Sequence, residues 1–207
     1  MKITDITRQK KNSERVNIFL DNQYAFSLEE VDVLKFKLKI GTELDAKEIE
    51  KLSLESNLSK AMKKAMDIIS RKPVTKKELQ NKLFDKGYDE SVVSVALEEL
   101  TELGYLNDYD YATLYLDYAA EKCYGKKKIV YELSHKGVSN DIIYEVLSEH
   151  YKPTSEELAD MIQSKYGCVD CSDLKIKQKL VRFFVSRGFG FDEANDAIKH
   201  YENMQKD

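Results

Sequence analysis

Lys126-Lys127-Lys128-Ile129-Val130-Tyr131-Glu132-Leu133-Ser134-His135-Lys136-Gly137-Val138 reads as one helix and its stop signal. Ile129 and Leu133 stand four residues apart and share a face, the lysines precede them, and Gly137 supplies the left-handed residue on which helices end. The pattern stands twice more in the chain. Lys76-Lys77-Glu78-Leu79-Gln80-Asn81-Lys82-Leu83 leads to Lys86-Gly87, and Lys177-Gln178-Lys179-Leu180-Val181-Arg182-Phe183-Phe184 leads to Arg187-Gly188. A large apolar residue follows each glycine (Tyr88, Val138, Phe189), and Leu97, Leu147 and Ile198 stand ten residues beyond it. A register held through three copies marks a repeat.

Working outward, Thr75 is placed to cap the first of these helices and Asp89 the one after Gly87, which carries Val93, Ala96, Leu97 and Leu100 to Gly104. Asn107-Asp108 opens a further helix with Tyr111, Ala112, Tyr115 and Ala119, while Pro73 ends a long helix upstream. Each copy thus holds three helices of roughly 10 to 16 residues, too short to stand alone, so their apolar stripes must pack together. The third copy carries an insertion from Cys168 to Lys175.

The first forty residues follow a different period. Val16, Ile18 and Leu20, then Tyr24, Phe26 and Leu28, alternate with polar neighbours around Asp21-Asn22, the pattern of a hairpin, with Ile3 and Ile6 as candidates for a third strand. Helical spacing runs from Leu28 to Leu38, Gly41 breaks it, and a new helix starts near Asp45. The expected fold is mainly α: three tandem three-helix repeats in an elongated array behind a small N-terminal β-hairpin or three-stranded extension. The expected divisions are 1–45 for the extension, 46–108 for repeat one with its preceding helix, 109–153 for repeat two and 154–207 for repeat three.

A chain of 207 residues that is 42% hydrophobic and 34% charged can bury a core. It opens without the apolar run of a secretory signal and holds no stretch near the roughly 18 apolar residues that span a bilayer, so it is expected to be cytoplasmic with no membrane partner. Three cysteines, an odd number, argue against a disulfide framework.

The net charge of −4 hides an alternation. Residues 58–90 carry nine bases and five acids, whereas 91–121 carry seven acids and no base; 122–136 and 161–189 are again basic, and 139–160 acidic. The basic segments coincide with the middle helix of each repeat. Solvated helix faces are the plain explanation, but repetition through three copies points to a functional stripe. Its candidate binding residues are Arg71, Lys72, Lys76, Lys77, Lys126, Lys127, Lys128, Lys177, Lys179, Arg182 and Arg187.

Gly104-Tyr105-Leu106-Asn107-Asp108-Tyr109-Asp110-Tyr111-Ala112, followed by Tyr124-Gly125 and Glu132-Leu133-Ser134-His135-Lys136-Gly137-Val138, resembles the hallmarks of the RecX family of recombination regulators. Arg71-Lys72-Pro73-Val74-Thr75-Lys76-Lys77-Glu78-Leu79 is similar to the family's entry into its first repeat. The likeness runs from about residue 60 to 200, the N-terminal hairpin resembles an extension carried by some members, and the loop Cys168-Val169-Asp170-Cys171 departs from the pattern. The resemblance implies a non-enzymatic, monomeric protein without cofactor. It would bind the RecA filament on single-stranded DNA, with DNA itself a further contact for the basic faces, and restrain filament growth, ATP hydrolysis, strand exchange and coprotease activity.

Other chemistry is weaker in this sequence. Cys168-x-x-Cys171 has the spacing of half a zinc site or a redox pair, but Cys123, His135, His150 and His200 offer no second ligand pair. Tyr111, Tyr115 and Tyr118 at helical spacing could stack on bases, yet the acids around them favour core packing. No phosphate loop or catalytic constellation appears. The competing readings are a helix-turn-helix transcription regulator and a generic helical scaffold. The first is opposed by Glu98, Glu99, Asp141 and Glu145 on the helices that would enter a DNA groove.

Overall fold

A computed structural model describes residues 1–9 and 14–205. The chain divides into two compact units, one made of residues 1–74 and 79–106, the other of residues 75–78 and everything from Asn107 onward.

The first unit begins with an antiparallel sheet in the order β1 (Ile3–Arg8), β2 (Arg15–Leu20), β3 (Gln23–Glu29). Asp21 and Asn22, with φ of 47° and 67°, form the two-residue turn whose left-handed pair matches strand twist. Alternation buries Ile3, Val16, Ile18, Leu20, Phe26 and Leu28 on one face, against Leu38, Leu44 and Leu52. Tyr24 breaks the expected alternation. A register shift between Ile18 and Phe19 pairs Tyr24 with Phe19, and its ring stays exposed at the edge of that phenyl group.

After the short helix α1 (Glu30–Lys35) comes α2 (Ala46–Ile69), opened by a capping box in which Asp45 accepts from the Glu48 N–H and Glu48 from the Asp45 N–H. At 24 residues it is the long helix expected between Asp45 and Pro73. With α3 (Lys76–Phe84) and α4 (Glu90–Glu102) it closes a core of Ala65, Leu79, Leu83, Val93, Leu100 and Leu106. Asp89 takes the N-cap position of α4 as expected, but its side chain accepts no capping bond.

The second unit holds two triplets. Helices α5 (Asp108–Glu121), α6 (Lys126–His135) and α7 (Asn140–His150) bury Ala112, Tyr115, Ala119, Ile129, Leu133, Ile143 and Leu147. Helices α8 (Ser155–Tyr166), α9 (Leu174–Ser186) and α10 (Phe191–Met204) bury Leu158, Ile162, Leu180, Phe184, Ala194, Ile198 and Tyr201. Phe184 sits between Phe183 and Phe189 in edge-to-face contact. The inserted segment is shorter than expected, because Asp173 accepts from the Lys175 N–H and starts α9 at Leu174.

The chain is therefore mainly helical, with a three-stranded antiparallel sheet at its N-terminus. The repeated glycines explain the register. Gly87, Gly137 and Gly188 have φ of 81°, 87° and 92°, and in each copy the next residue's N–H returns to the carbonyl of the buried residue five positions earlier: Tyr88 to Leu83, Val138 to Leu133, Phe189 to Phe184. These are Schellman motifs, closed by the apolar residue that the repeat places after each glycine.

Candidate interaction surface

The second unit sets its middle helices end to end. The Gly125 N–H donates to the Arg187 carbonyl at 2.8 Å and the Lys127 N–H to the Gly188 carbonyl at 3.1 Å, so the C-terminus of α9 supplies the acceptors that the start of α6 lacks. The approach is close enough that a Cβ on Gly125 would lie 2.4 Å from the Phe189 nitrogen, and one on Gly188 2.4 Å from the Lys128 nitrogen.

At its other end α6 meets the first turn of α3 in the same way. A Cβ on Gly137 would lie 2.3 Å from the Lys77 Cβ. The fully buried Thr75 donates through Oγ1 to the Lys136 carbonyl at 2.6 Å and accepts from the Glu78 N–H at 3.0 Å, while the Lys136 ammonium returns to Glu78 at 2.9 Å. Burial works against the charge on Lys136, but hydrogen bonds to Glu78 and Tyr111 outweigh it and hold the ammonium above the ordinary lysine range. Asp108, buried, completes the joint by accepting from the Lys76 N–H at 2.8 Å.

These joints bear on the charge of the helix ends. Lysines in a first turn face the positive end of a helix dipole and are disfavoured there, and α6 carries three of them with no acid. The carbonyl end of α9 offsets that field, so Lys126 and Lys127 are held exposed at the joint. Lys76 and Lys77 are exposed at the next one.

The remaining candidates divide by environment. Lys179 and Arg182 are exposed on α9, Lys179 with its ammonium over the Tyr166 ring and Arg182 with Nε on the Gln178 carbonyl. Lys128, Lys177 and Arg187 are half-buried rather than fully on the surface. Lys128 lies over the Tyr124 ring and within 4.0 Å of Glu132; Arg187 lies over the Phe183 ring and donates to the Lys122 carbonyl. Both serve the α6–α9 joint. Arg71 and Lys72 stand in the turn after α2 rather than on a middle helix, and Arg71 is paired with Asp67 at 2.7 Å. The buried positions read for these helices, Leu79, Leu83, Ile129, Leu133, Leu180 and Phe184, are all inside.

The tyrosine row is split. Tyr115 is buried and Tyr111 half-buried, but Tyr118 is exposed, against the expectation that all three pack inward, with its ring contacting Tyr115 and Tyr124. Burial, followed by the nearby Glu132, pushes the Tyr115 phenol up to about 12. Tyr109 donates to Glu149 at 2.5 Å and is raised to about 12 by that bond first. Cys171 is buried and Cys168 exposed, both as thiols, and among the described residues no group of three or more His, Cys, Asp or Glu side chains is placed to hold a metal ion. Among the described residues no helix is long and apolar enough to cross a membrane.

Thr75 as an inter-helix bond, Asp108 as a buried cap and Lys136 as a bridge were not singled out in the sequence. Its faint signal was the recurrence of Lys-Gly and Arg-Gly at the helix ends. Arg15 was missed entirely, because a buried arginine at a strand start looks like any polar strand residue.

Residues 1–45 match the N-terminal domain of regulatory protein RecX, residues 61–100 the first RecX three-helix domain and residues 107–147 the second. The regulatory protein RecX of Clostridium botulinum (strain Alaska E43 / Type E3) is 36% identical over 208 residues, covering 99% of this chain and 98% of its own length. The chain belongs to the RecX family. A crystal structure of a regulatory protein RecX superposes with a TM-score of 0.64 at 26% identity, covering 98% of this chain and 92% of that one. The crystal structure of RecX from Lactobacillus salivarius, 23% identical, matches the fold over 70% of this chain and 97% of its own, with a TM-score of 0.61. RecX membership places the chain in a family of regulatory proteins.

Proposed function

We propose that this RecX-family chain is a non-enzymatic, cytoplasmic restraint on the RecA filament assembled on single-stranded DNA, limiting its growth, ATP turnover, strand exchange and coprotease activity. The observation that carries the reading is the end-to-end setting of α9, α6 and the first turn of α3, which brings exposed lysines to successive joints. The filament offers a repeating surface, and a repeating row of cations suits it.

Within the row, Lys76, Lys77, Lys126, Lys127, Lys179 and Arg182 make the contacts. Lys128, Lys177 and Arg187 shape the scaffold beside them, and Arg71 and Lys72, in the turn after α2, are further candidate contacts in the first unit. The exposed Asp141 and Glu145 on α7 disfavour a groove-reading DNA regulator, since carboxylates facing phosphates are repelled. The test is to titrate the protein into a RecA and single-stranded DNA reaction and follow ATP turnover together with filament length. Both should fall in parallel as protein is added, and unchanged turnover and length at saturating protein would defeat the proposal.

A further inference from the structure

A second basic feature lies in the first unit and does not depend on the reading above. Ser56, Ser59, Lys60, Lys63, Lys64 and Asp67 follow one another at helical spacing along α2, and Lys60, Lys63, Lys64 and Asp67 line a groove of ≈ 520 Å³ together with Gln9, Arg15, Ser27 and Tyr88. Arg15 is only 6% exposed. Its guanidinium donates to the Ser27 carbonyl at 2.8 Å and to the hydroxyls of Ser27, Ser56 and Ser59, all neutral acceptors. A Glu29 carboxylate oxygen lies 3.9 Å away, at the limit of ion pairing, and accepts from the Ser59 hydroxyl at 2.7 Å. The Arg15 Nε is buried without a partner. A desolvated guanidinium answered mainly by neutral groups leaves positive potential beneath the groove.

Among the described residues that line the groove, no unpaired carboxylate cancels it. Among the described residues Asp67 is the one carboxylate lining the groove, and it is spent on Lys64 at 2.9 Å and Arg71 at 2.7 Å. Lys60 is half-buried, and its ammonium is held below the ordinary lysine range by burial first and then by repulsion from Arg15. Cations crowded together in a concave, partly desolvated site, with hydroxyl and amide groups at its edge, are a setting that an anion relieves. Of the common anions a phosphoryl group has the charge and the acceptor count to meet several donors at once.

We propose that this groove is a phosphate-binding site, in which Lys60, Lys63 and Gln9 contact a phosphoryl group and Arg15 supplies the fixed charge beneath it. The occupant is a single phosphoryl group, either free or carried on a nucleotide.

Thermal unfolding and calorimetric titration of the full chain test this, using inorganic phosphate against chloride at matched ionic strength, and a nucleoside 5′-monophosphate as a second probe. Phosphate should raise the unfolding midpoint saturably where chloride does not. Lys60→Gln with Lys63→Gln should weaken that binding about tenfold or more while leaving the midpoint in chloride unchanged or higher, since each removes a crowded cation and one charge-assisted hydrogen bond. Arg15→Met tests the buried charge, and because it also removes the bonds from β2 to Ser27, Ser56 and Ser59, the lysine variants carry the decision. Tighter binding of the nucleotide than of inorganic phosphate assigns the site to nucleotides, and equal binding assigns it to the lone anion; both support the site. Equal midpoints in phosphate and chloride, full binding by the double lysine variant, or binding of oligonucleotides alone with no response to either monophosphate would overturn it.

Discussion

The Gly125 N–H and the Arg187 carbonyl, 62 positions apart in sequence, are joined by a 2.8 Å hydrogen bond that ties the start of α6 to the end of α9. The bond is possible because neither Gly125 nor Gly188 carries a Cβ, and it makes the glycine that ends one helix the seat for the next.

This gives the repeated glycines unequal roles. Gly87 and Gly188 both sit at left-handed φ, but a Cβ on Gly87 meets nothing within 4 Å, whereas one on Gly188 meets Lys128 at 2.4 Å. Gly87→Ala should cost about 1–2 kcal/mol, the left-handed penalty alone. Gly188→Ala should add a further ~1–3 kcal/mol of overpacking against backbone. Urea unfolding of the two variants measures the difference, and equal losses would show that the joint yields without strain.

Thr75 is the corresponding anchor at the α3–α6 joint. Removing its hydroxyl takes the cap from the Glu78 N–H and the donor from the Lys136 carbonyl. Thr75→Ala should destabilise by ~2 kcal/mol, the sum of a lost N-cap and an unmet buried acceptor. Thr75→Ser, which keeps the oxygen, should recover most of it, and a serine variant as weak as the alanine one would assign the effect to the methyl group instead.

The two clustered cysteines should differ in chemistry. Cys171 is buried, and burial first, then Glu202 and Asp170, pushes its thiol up, whereas Cys168 is exposed. Alkylation of the native protein at neutral pH, read by mass spectrometry, should label Cys168 well before Cys171. A raised thiol favours the protonated form in the fold, so its contribution to stability is present below the unfolded thiol's pKa and is lost as pH rises through the folded value. Replacing both cysteines by serine should leave filament inhibition intact. Stoichiometric zinc in protein purified without added metal, lost in that variant along with stability, would show that the loop is a metal site.

Most of the fold was legible in the sequence because it rests on short-range rules. The Schellman glycines, the two-residue turn at Asp21-Asn22 and the four-residue spacing of Leu79 and Leu83 or Ile129 and Leu133 each act within one or two turns of chain. What escaped depends on distant partners. Lys128 and Arg187 look like surface cations in a list of residues, and only the α6–α9 joint half-buries them. Tyr118 stands three residues beyond Tyr115, which at 3.6 residues per turn sets it about 60° round the helix from that buried ring, and it faces outward. Arg15 carries no local sign that Ser27, Ser56 and Ser59 converge on it.

The joint also narrows the mutational test of the surface. Lys128 contacts Gly188 and lies near Glu132, so its reversal would disturb packing as well as charge. Lys126 and Lys127 are exposed, and acids in a first turn are favoured by the helix dipole, so Lys126→Glu with Lys127→Glu should change stability by no more than about 0.5 kcal/mol. The most direct measurement compares this double variant with the parent in RecA ATP turnover on single-stranded DNA, over a range of salt. The parent should suppress turnover, with a potency that falls as salt rises, and the folded double variant should need roughly tenfold more protein and show a flatter salt dependence. A double variant that unfolds like the parent and suppresses turnover at the same concentration would contradict the assignment of this row of lysines to the filament.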